Sequence, residues 1–252
     1  MGSFNNPART ADQMATIARA LDLGVTVFDT ADVYGQGDSE RMIGRALATR
    51  RSEAVVITKL GKLFSKRMRL LRPLKPILKP LVAGRGNLVT SQRQKNMAED
   101  FSPARYAAAL DASLHRFGFD HVDGLLLHSP PASVVRRPET AAALAALRDA
   151  GKALQFGVSC DDRDCFEAAI AMPGASLLQL PIDLIDETVK DGLLAEARSR
   201  GFTIFAREVV RFRNGASPVQ AVDGAARRPE IDCVVVGASH PDRLAQLAIA
   251  TA

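Results

Sequence analysis

Short apolar segments recur along the chain, and helix-like segments with amphipathic spacing separate them. The apolar segments are rich in Val, Ile, Leu and Phe and often lack polar alternation, which is typical of parallel strands buried on both faces. Alternating strands and helices with right-handed crossovers form a parallel sheet that can close into a barrel. The predicted strands cover residues 25–29, 55–59, 122–128, 153–158, 177–180, 203–206 and 233–236.

Helix boundaries are indicated by local signals between these strands. Ser102-Pro103 and Ser217-Pro218 each place a capping residue before a proline at the first helical position. Gly24, Gly151 and Gly201 follow helical segments, where a left-handed cap is expected. Helices are therefore predicted near residues 11–22, 39–49, 103–116, 139–150, 161–170, 188–199, 218–227 and 241–250.

The predicted fold class is α/β, with the architecture of a (β/α)8 TIM barrel. Seven strands and eight helices are readable, and the chain opens with a helix, so the first strand of the barrel is expected to be missing. Residues 1–10 are polar and contain Gly and Pro, and they are predicted to form a loop. We expect residues 1–252 to form a single domain. A homodimer that covers the two unpaired sheet edges is one hypothesis.

Composition excludes several classes of protein. The three cysteines are an odd number and form no Cys-x-x-Cys motif, which argues against a disulfide framework and a structural zinc site. No apolar segment approaches the ~20 residues of a membrane-spanning helix, and no basic-then-apolar signal segment is recognised. The expected location is the cytoplasm, and no bound metal is expected.

The positive charge is concentrated in one segment. The chain carries a formal net charge of +5, but residues 62–95 contain ten Lys and Arg and no acidic residue, which leaves the rest at −5. This basic segment lies within a long loop, residues 61–100, predicted on the face that carries the reactive residues. Three uses are open: a lid for an anionic substrate such as a nucleotide sugar, peripheral contact with an acidic membrane, or a solvated loop. Nucleic acid is not an expected partner, because Phe64 is the segment's lone aromatic residue.

Four reactive side chains lie at or just after the ends of three predicted strands. Asp29 ends the first strand and Tyr34 follows it closely, whereas Lys59 and His128 each end a later strand. The carboxyl ends of parallel barrel strands open onto one face, where active sites of such barrels are found. The sequence therefore predicts that these four residues share one site.

The segment Phe28–Gly35, read with Lys59 and His128, resembles the aldo-keto reductases. The resemblance implies an oxidoreductase that interconverts a carbonyl and an alcohol by hydride transfer, without metal. It implies that Tyr34 donates the proton, that Lys59 lowers the tyrosine pKa from about 10, and that Asp29 pairs with Lys59. His128 would orient the carbonyl of the substrate. The substrate class would be a small aldehyde, ketone or sugar.

The resemblance also implies a nicotinamide dinucleotide site along the remaining strand ends. Ser159, Cys160 (at a position where asparagine is usual) and Gln179 would face the carboxamide, and Arg207 would stack on the nicotinamide ring. The helix start after the last strand would bind phosphates. NADP is expected, with NAD as the alternative, because Arg243 matches the partner of the 2′-phosphate. The residues that the resemblance implies for phosphate binding are Gly237, Ala238, Ser239 and Arg243.

A second function stays open at this point. The chain also fits a dinucleotide-binding aldo-keto-like module with vestigial activity that serves a partner protein or membrane assembly. Cys160, the Leu247 that replaces a common adenine-contacting asparagine, and the missing first strand favour this alternative. The intact set of four reactive residues disfavours it.

Overall fold

The computed structural model describes residues 10–64, 97–211, 215–237 and 241–249 of the chain. Most of the basic segment lies outside these ranges, as do Ala238 and Ser239 of the predicted phosphate site. The strands are β1 (Val27–Asp29), β2 (Val55–Leu60), β3 (Lys62–Phe64), β4 (Met97–Glu99), β5 (Val122–His128), β6 (Ala153–Ser159), β7 (Leu177–Pro181), β8 (Thr203–Arg207) and β9 (Cys233–Val234).

Ten α-helices accompany these strands in the described part of the chain. They are α1 (Thr10–Asp22), α2 (Asp38–Ala46), α3 (Tyr106–Phe117), α4 (Ala132–Val135), α5 (Pro138–Asp149), α6 (Arg163–Ile170), α7 (Ile182–Thr188), α8 (Leu193–Ser199), α9 (Pro218–Ala226) and α10 (Pro241–Ile249).

Seven of the strands form one parallel sheet in the order β1-β2-β5-β6-β7-β8-β9. Every one of them overlaps a strand predicted from the sequence, so the parallel α/β fold is confirmed. Their continuous apolar composition is explained by burial: β7, for example, is buried along its whole length. In the described residues, β1 and β9 are the two edges of this sheet.

The sheet curls until side chains from distant strands meet inside it. Ile57, Leu126, Leu177 and Phe205 come from four different strands and form one buried interior cluster. Gly124 makes room for this contact, because a Cβ at that position would lie 2.9 Å from the Leu177 side chain. Interior packing across the sheet is characteristic of a barrel.

A second, two-stranded sheet was not predicted from the sequence. The antiparallel pair β3–β4 joins the first residues of the basic segment to residues just after it, and Lys62 Nζ donates to Glu99 Oε1 at 2.8 Å. Because β3 follows β2 after Gly61 alone, the start of the segment lies three residues after Lys59.

Three helices, α4, α7 and α8, also differ from the sequence expectation. The short helix α4 was missed, and the predicted helix 188–199 is α8, which begins later, after Gly192 with a φ of 85°. The helix α7 precedes it and starts directly after Pro181 at the end of β7. No helix of the described residues has the length and apolar character to cross a membrane.

Helices α2 and α3 approach so closely that Gly44 is required between them. A Cβ added at Gly44 would lie 1.9 Å from the carbonyl oxygen of Phe117, which is backbone and has little freedom to move. We expect Gly44→Ala to destabilise the protein by about 1–3 kcal/mol or more, measured by urea unfolding.

Gly224 in α9 provides the matched control for this substitution. No described atom lies within 4 Å of a Cβ added there, so Gly224→Ala is expected to stabilise the protein by about 0.5–1 kcal/mol through helix propensity. Equal effects of the two substitutions would contradict the close approach of α2 and α3.

Candidate active site

The structure brings the four predicted reactive residues together at the carboxyl ends of the strands. Lys59 Nζ lies 2.6 Å from each carboxylate oxygen of Asp29, and it also donates to the carbonyl oxygen of Thr30 at 3.0 Å. The same ammonium lies 5.5 Å from the centre of the Tyr34 ring. The rings of Tyr34 and His128 meet edge to face, with their centroids 5.7 Å apart. An acid, an ammonium, a phenol and an imidazole thus form one contiguous cluster.

The Asp29–Lys59 pair is almost completely buried. The Lys59 side chain is 1% exposed and that of Asp29 is 8% exposed. Burial alone would raise the pKa of Asp29, but the Lys59 ammonium and the hydrogen bonds from Lys59 and Gln179 outweigh it and leave this pKa below its ordinary value. Asp29 is therefore ionised at neutral pH and holds the ammonium in place beneath Tyr34.

Tyr34 is a neutral phenol in this environment. Burial raises the pKa of Tyr34 above its ordinary value of 10.0, and the Lys59 ammonium offsets only part of that increase. The net direction is opposite to the lowering expected from the sequence, because burial in the barrel mouth was not visible there. A neutral phenol holds the proton that a general acid must donate.

His128 is a neutral imidazole. Burial, together with the Lys59 and Lys62 ammonium groups, lowers the pKa of His128 to about 3. Its Nδ1 atom is buried and has no hydrogen-bond partner within residues 10–64, 97–211, 215–237 and 241–249. A buried polar atom normally has a partner, so this nitrogen is available to a ligand at the mouth.

Backbone strain is concentrated around the same mouth. Gln36, Ser129 and Glu208 have positive φ values of 62°, 51° and 61° although none is glycine. Each follows a different strand of the sheet, and each lies on the face that carries the cluster. Strained non-glycine residues of this kind are frequent at functional sites.

A buried polar network supports the turn that carries Tyr34. Glu40 of α2 is fully buried, accepts a hydrogen bond from Thr58 Oγ1 at 2.8 Å, and is paired with Arg116. Arg116 in turn donates to Ser113 Oγ at 2.8 Å. The Arg116 side chain also packs on Gly37, where an added Cβ would lie 2.5 Å from its Cδ.

Asp32 lies beside this network and is the basis of a pH prediction. Burial and the nearby Glu40 carboxylate raise the pKa of Asp32 from 3.8 to about 7. The folded protein therefore keeps a proton that the unfolded chain releases near pH 4. The stability contributed by this proton is complete below about pH 4 and is lost as the pH rises to about 7.

We expect Asp32→Asn to be more stable than the unsubstituted protein at pH 8, and the advantage to shrink towards pH 4.5. Urea unfolding of both proteins at the two pH values measures the difference, in which the titration of all other groups cancels. An advantage that does not change with pH would show that Asp32 titrates normally.

The predicted nicotinamide residues Ser159 and Gln179 face the cluster and are connected to it. Both side chains are 1% exposed. Ser159 Oγ donates to Gln179 Oε1 at 3.1 Å, and Gln179 Nε2 donates to Asp29 Oδ1 at 2.9 Å. The structure therefore joins the predicted cofactor side to the predicted catalytic side through hydrogen bonds.

Arg207 lies at the same mouth and is held by acidic groups. Its guanidinium pairs with Asp161 and Glu208, and Nη2 donates to the carbonyl oxygen of Cys160 at 2.9 Å. Its Nε atom is buried and has no hydrogen-bond partner in the described part of the chain. The contacts of its two terminal nitrogens thus fix the orientation of the guanidinium plane.

Among the four predicted nicotinamide residues, Cys160 is the one whose side chain the structure does not bring to the cluster. Its thiol is fully buried in the main core beside the thiol of Cys165 in α6. Burial, with the contact to Cys165, raises the pKa of the Cys160 thiol well above its ordinary value. The backbone carbonyl of Cys160 reaches Arg207, whereas its side chain packs between the sheet and the helix layer.

Two of the predicted phosphate residues, Gly237 and Arg243, lie around the start of α10, which follows β9. Arg243, in the first turn of α10, lines a cavity of about 650 Å³ together with Ser217, Val219, Gln246 and Leu247. Gly237 is exposed just before this helix, and residues 238–240 lie outside the described ranges. No cluster of three or more His, Cys, Asp or Glu side chains suited to a metal ion occurs among the described residues.

Sequence reasoning missed the groups that hold the site in place. Asp161 and Glu208 clamp Arg207. Glu208 follows β8 directly and Asp161 follows β6 after one residue, a position that could have identified them. Glu40 looked like an ordinary acidic residue in the first turn of a helix. Its burial depends on the approach of α3, which sequence spacing does not reveal.

A curled parallel sheet with helices between its strands and a polar cluster at its carboxyl ends places the protein in the class of (β/α)8 barrels. A model of the aldo/keto reductase family matches residues 1–217. The chain belongs to this family.

Two curated proteins show how similar the sequence is to those of known enzymes. The chain is 26% identical over 192 residues to an NADH-specific methylglyoxal reductase of Escherichia coli (75% of this chain, 53% of that protein). It is 28% identical over 220 residues to a pyridoxal 4-dehydrogenase of Microbacterium luteolum (81% of this chain, 63% of that protein). The matches thus span less than two thirds of either curated relative.

The fold is also found in solved structures. The crystal structure of an aldo/keto reductase from Klebsiella pneumoniae in complex with NADP and acetate superposes with a TM-score of 0.69. The match covers 100% of this chain and 82% of that one, at 21% sequence identity. This similarity establishes the barrel fold.

Proposed function

We propose that the protein is an NADPH-dependent oxidoreductase that interconverts a carbonyl and an alcohol, with Tyr34 as the proton donor. The observation that carries the proposal is the contact between Tyr34, the buried Asp29–Lys59 pair and His128 at one barrel mouth. Membership of the aldo/keto reductase family supports the same chemistry.

The residues at the mouth fit a nicotinamide group. Ser159 and Gln179 present a buried hydroxyl and amide suited to a carboxamide. Arg207 Nε, which has no hydrogen-bond partner among the described residues, provides a further donor. When bound, the dinucleotide would supply the hydride. The planar guanidinium of Arg207 is suited to stacking on a flat ring.

The proton transfer follows from the state of each side chain. As the carbonyl carbon accepts a hydride, its oxygen gains negative charge and takes the proton from Tyr34 Oη. The Lys59 ammonium, 5.5 Å from the ring centre, stabilises the phenolate that is left. Neutral His128 donates a hydrogen bond to the same oxygen and orients it. In the direction of alcohol oxidation, each proton moves the opposite way.

We propose NADP as the cofactor, with NAD as the alternative. Arg243 lines the cavity between α9 and α10 and provides a cation for a 2′-phosphate. The Klebsiella pneumoniae structure contains NADP, whereas the Escherichia coli relative is NADH-specific. Small carbonyl compounds or sugars are the proposed substrates, since the two curated relatives act on methylglyoxal and pyridoxal.

Other expectations from the sequence stay predictions. These are a single domain over residues 1–252, a cytoplasmic location, a homodimer, an anionic substrate and membrane contact through residues 62–95. The segment that would decide between the last two lies mostly outside the described residues.

The experiment that tests the function follows NADPH or NADH absorbance with a panel of aldehydes, ketones and sugars. We expect turnover of at least one substrate, and tighter binding of NADPH than of NADH by nicotinamide fluorescence titration. Cofactor binding without turnover of any substrate in either direction would overturn the proposed activity.

A further inference from the structure

One series of hydrogen bonds connects the predicted cofactor residues to the predicted proton-donor residues. It runs from Ser159 Oγ to Gln179 Oε1 (3.1 Å), from Gln179 Nε2 to Asp29 Oδ1 (2.9 Å), and from Asp29 to Lys59 Nζ (2.6 Å). Gln179 and Asp29 are 150 residues apart in the sequence, on β7 and β1. The contact therefore crosses the interior of the curled sheet.

The direction of each hydrogen bond in this series is determined by which groups can donate and which can only accept. Asp29 is ionised and can only accept, so Gln179 must turn its NH2 group towards it. This orientation points Oε1 of the amide at Ser159, whose hydroxyl must then donate. Rotating the amide of Gln179 would set its oxygen against the carboxylate of Asp29 and break both bonds.

This arrangement makes the charge of Asp29 depend on Gln179. The carboxylate is paired with the Lys59 ammonium on one side and accepts a hydrogen bond from the Gln179 amide on another. Without the amide, the carboxylate charge would be less shielded, and the phenolate of Tyr34 would be harder to form near it. A change at Gln179 would thus be felt at Tyr34 without direct contact.

We propose that Gln179 is a positioning residue that links the nicotinamide side of the mouth, through its hydrogen bond to Asp29, to the Lys59–Tyr34 proton donor. A ligand amide that engages Ser159 and Gln179 would then act on the proton donor as well as on its own binding site. The inference rests on the proposed function for its meaning, but its test does not require turnover.

The composition of the chain makes a direct test feasible. Tyr34 and Tyr106 are its two tyrosines, and it contains no tryptophan. In a Tyr106→Phe background, a biosynthetically incorporated fluorotyrosine reports only on position 34. The fluorinated phenol is more acidic than tyrosine and therefore ionises at a lower pH, and ¹⁹F NMR follows its ionisation.

We expect Gln179→Met, which keeps the approximate volume, to raise the pKa of the labelled phenol by about one unit, a tenfold change in its ionisation constant. Ser159→Ala is the matched control, because it removes the hydrogen bond between Ser159 and Gln179 and leaves the one between Gln179 and Asp29. It should weaken NADPH binding without changing the pKa of the labelled phenol. An unchanged titration in Gln179→Met would overturn the inference.

A second variant covers the case in which Gln179→Met fails to fold. Gln179→Glu places a second carboxyl group about 3 Å from Asp29, where the two must share a proton. The titration curve of the labelled phenol should then gain a second inflection that the unsubstituted protein lacks. A curve identical to that of the unsubstituted protein would also overturn the inference. Absence of turnover by the unsubstituted protein, together with the expected titration shift in Gln179→Met, would contradict only the proposed function.

Discussion

Tyr34→Phe is expected to lower the rate of carbonyl reduction by about 10²–10⁴-fold, the usual contribution of a positioned general acid. The substitution removes one oxygen from a ring that packs edge to face on His128, and it leaves the ring itself in place. Cofactor affinity should change little, because the predicted carboxamide contacts come from Ser159 and Gln179. Steady-state rates and NADPH fluorescence titration measure the two quantities separately.

Tyr106→Phe provides the matched control for this prediction. The Tyr106 hydroxyl is buried at the start of α3 and donates to the carbonyl oxygen of Phe101 at 3.1 Å, away from the cluster. Its loss should cost about 1 kcal/mol of stability and leave the rate unchanged. If the two substitutions reduced the rate equally, Tyr34 would not be the proton donor.

Lys59→Met is expected to destabilise the protein by about 3–5 kcal/mol, because it leaves the buried Asp29 carboxylate without its ammonium partner. For a chain of this size, each kcal/mol corresponds to about 2–4 °C in Tm. Urea and thermal unfolding measure the loss. The same variant should lose activity, but the change in stability is measurable without any substrate.

The double substitution Asp29→Leu with Lys59→Met separates the charge from the packing. It removes both ions, and replacement of a buried pair by apolar residues is often nearly neutral. We expect it to recover most of the stability that Lys59→Met loses, which gives a large coupling energy in the double-mutant cycle. Additive losses would show that the two charges do not depend on each other.

The strands of the large sheet could be predicted because burial on both faces requires apolar residues that follow one another in the sequence. Each strand of the seven-stranded sheet is a short, mainly apolar segment, and a polar residue or glycine marks the end of β1, β2, β5, β6 and β8. The pair β3–β4 has no comparable sequence pattern. Its strands are three residues long and lie 32 residues apart, so neither periodicity nor turn composition identifies their pairing.

The site shows the same division between local and long-range information. Asp29, Lys59 and His128 could be placed together because the ends of parallel strands share one face. The hydrogen bond between Gln179 and Asp29, the clamp on Arg207 and the burial of Glu40 depend on the curvature of the sheet and the approach of helices. These also decide that burial outweighs Lys59 in setting the pKa of Tyr34.

The two edges of the sheet have a consequence for Asp29. Within the described residues, Val27 of β1 and Cys233 of β9 pack on the same interior cluster, and α1 packs against α10 on the outside. No backbone ladder joins β1 to β9 in that part of the chain. Between these two edges, the described contacts are those of side chains and of the packed helices α1 and α10. Asp29 ends β1, so the carboxylate that pairs with Lys59 lies on a strand whose ladder partner, among the described residues, is β2 alone.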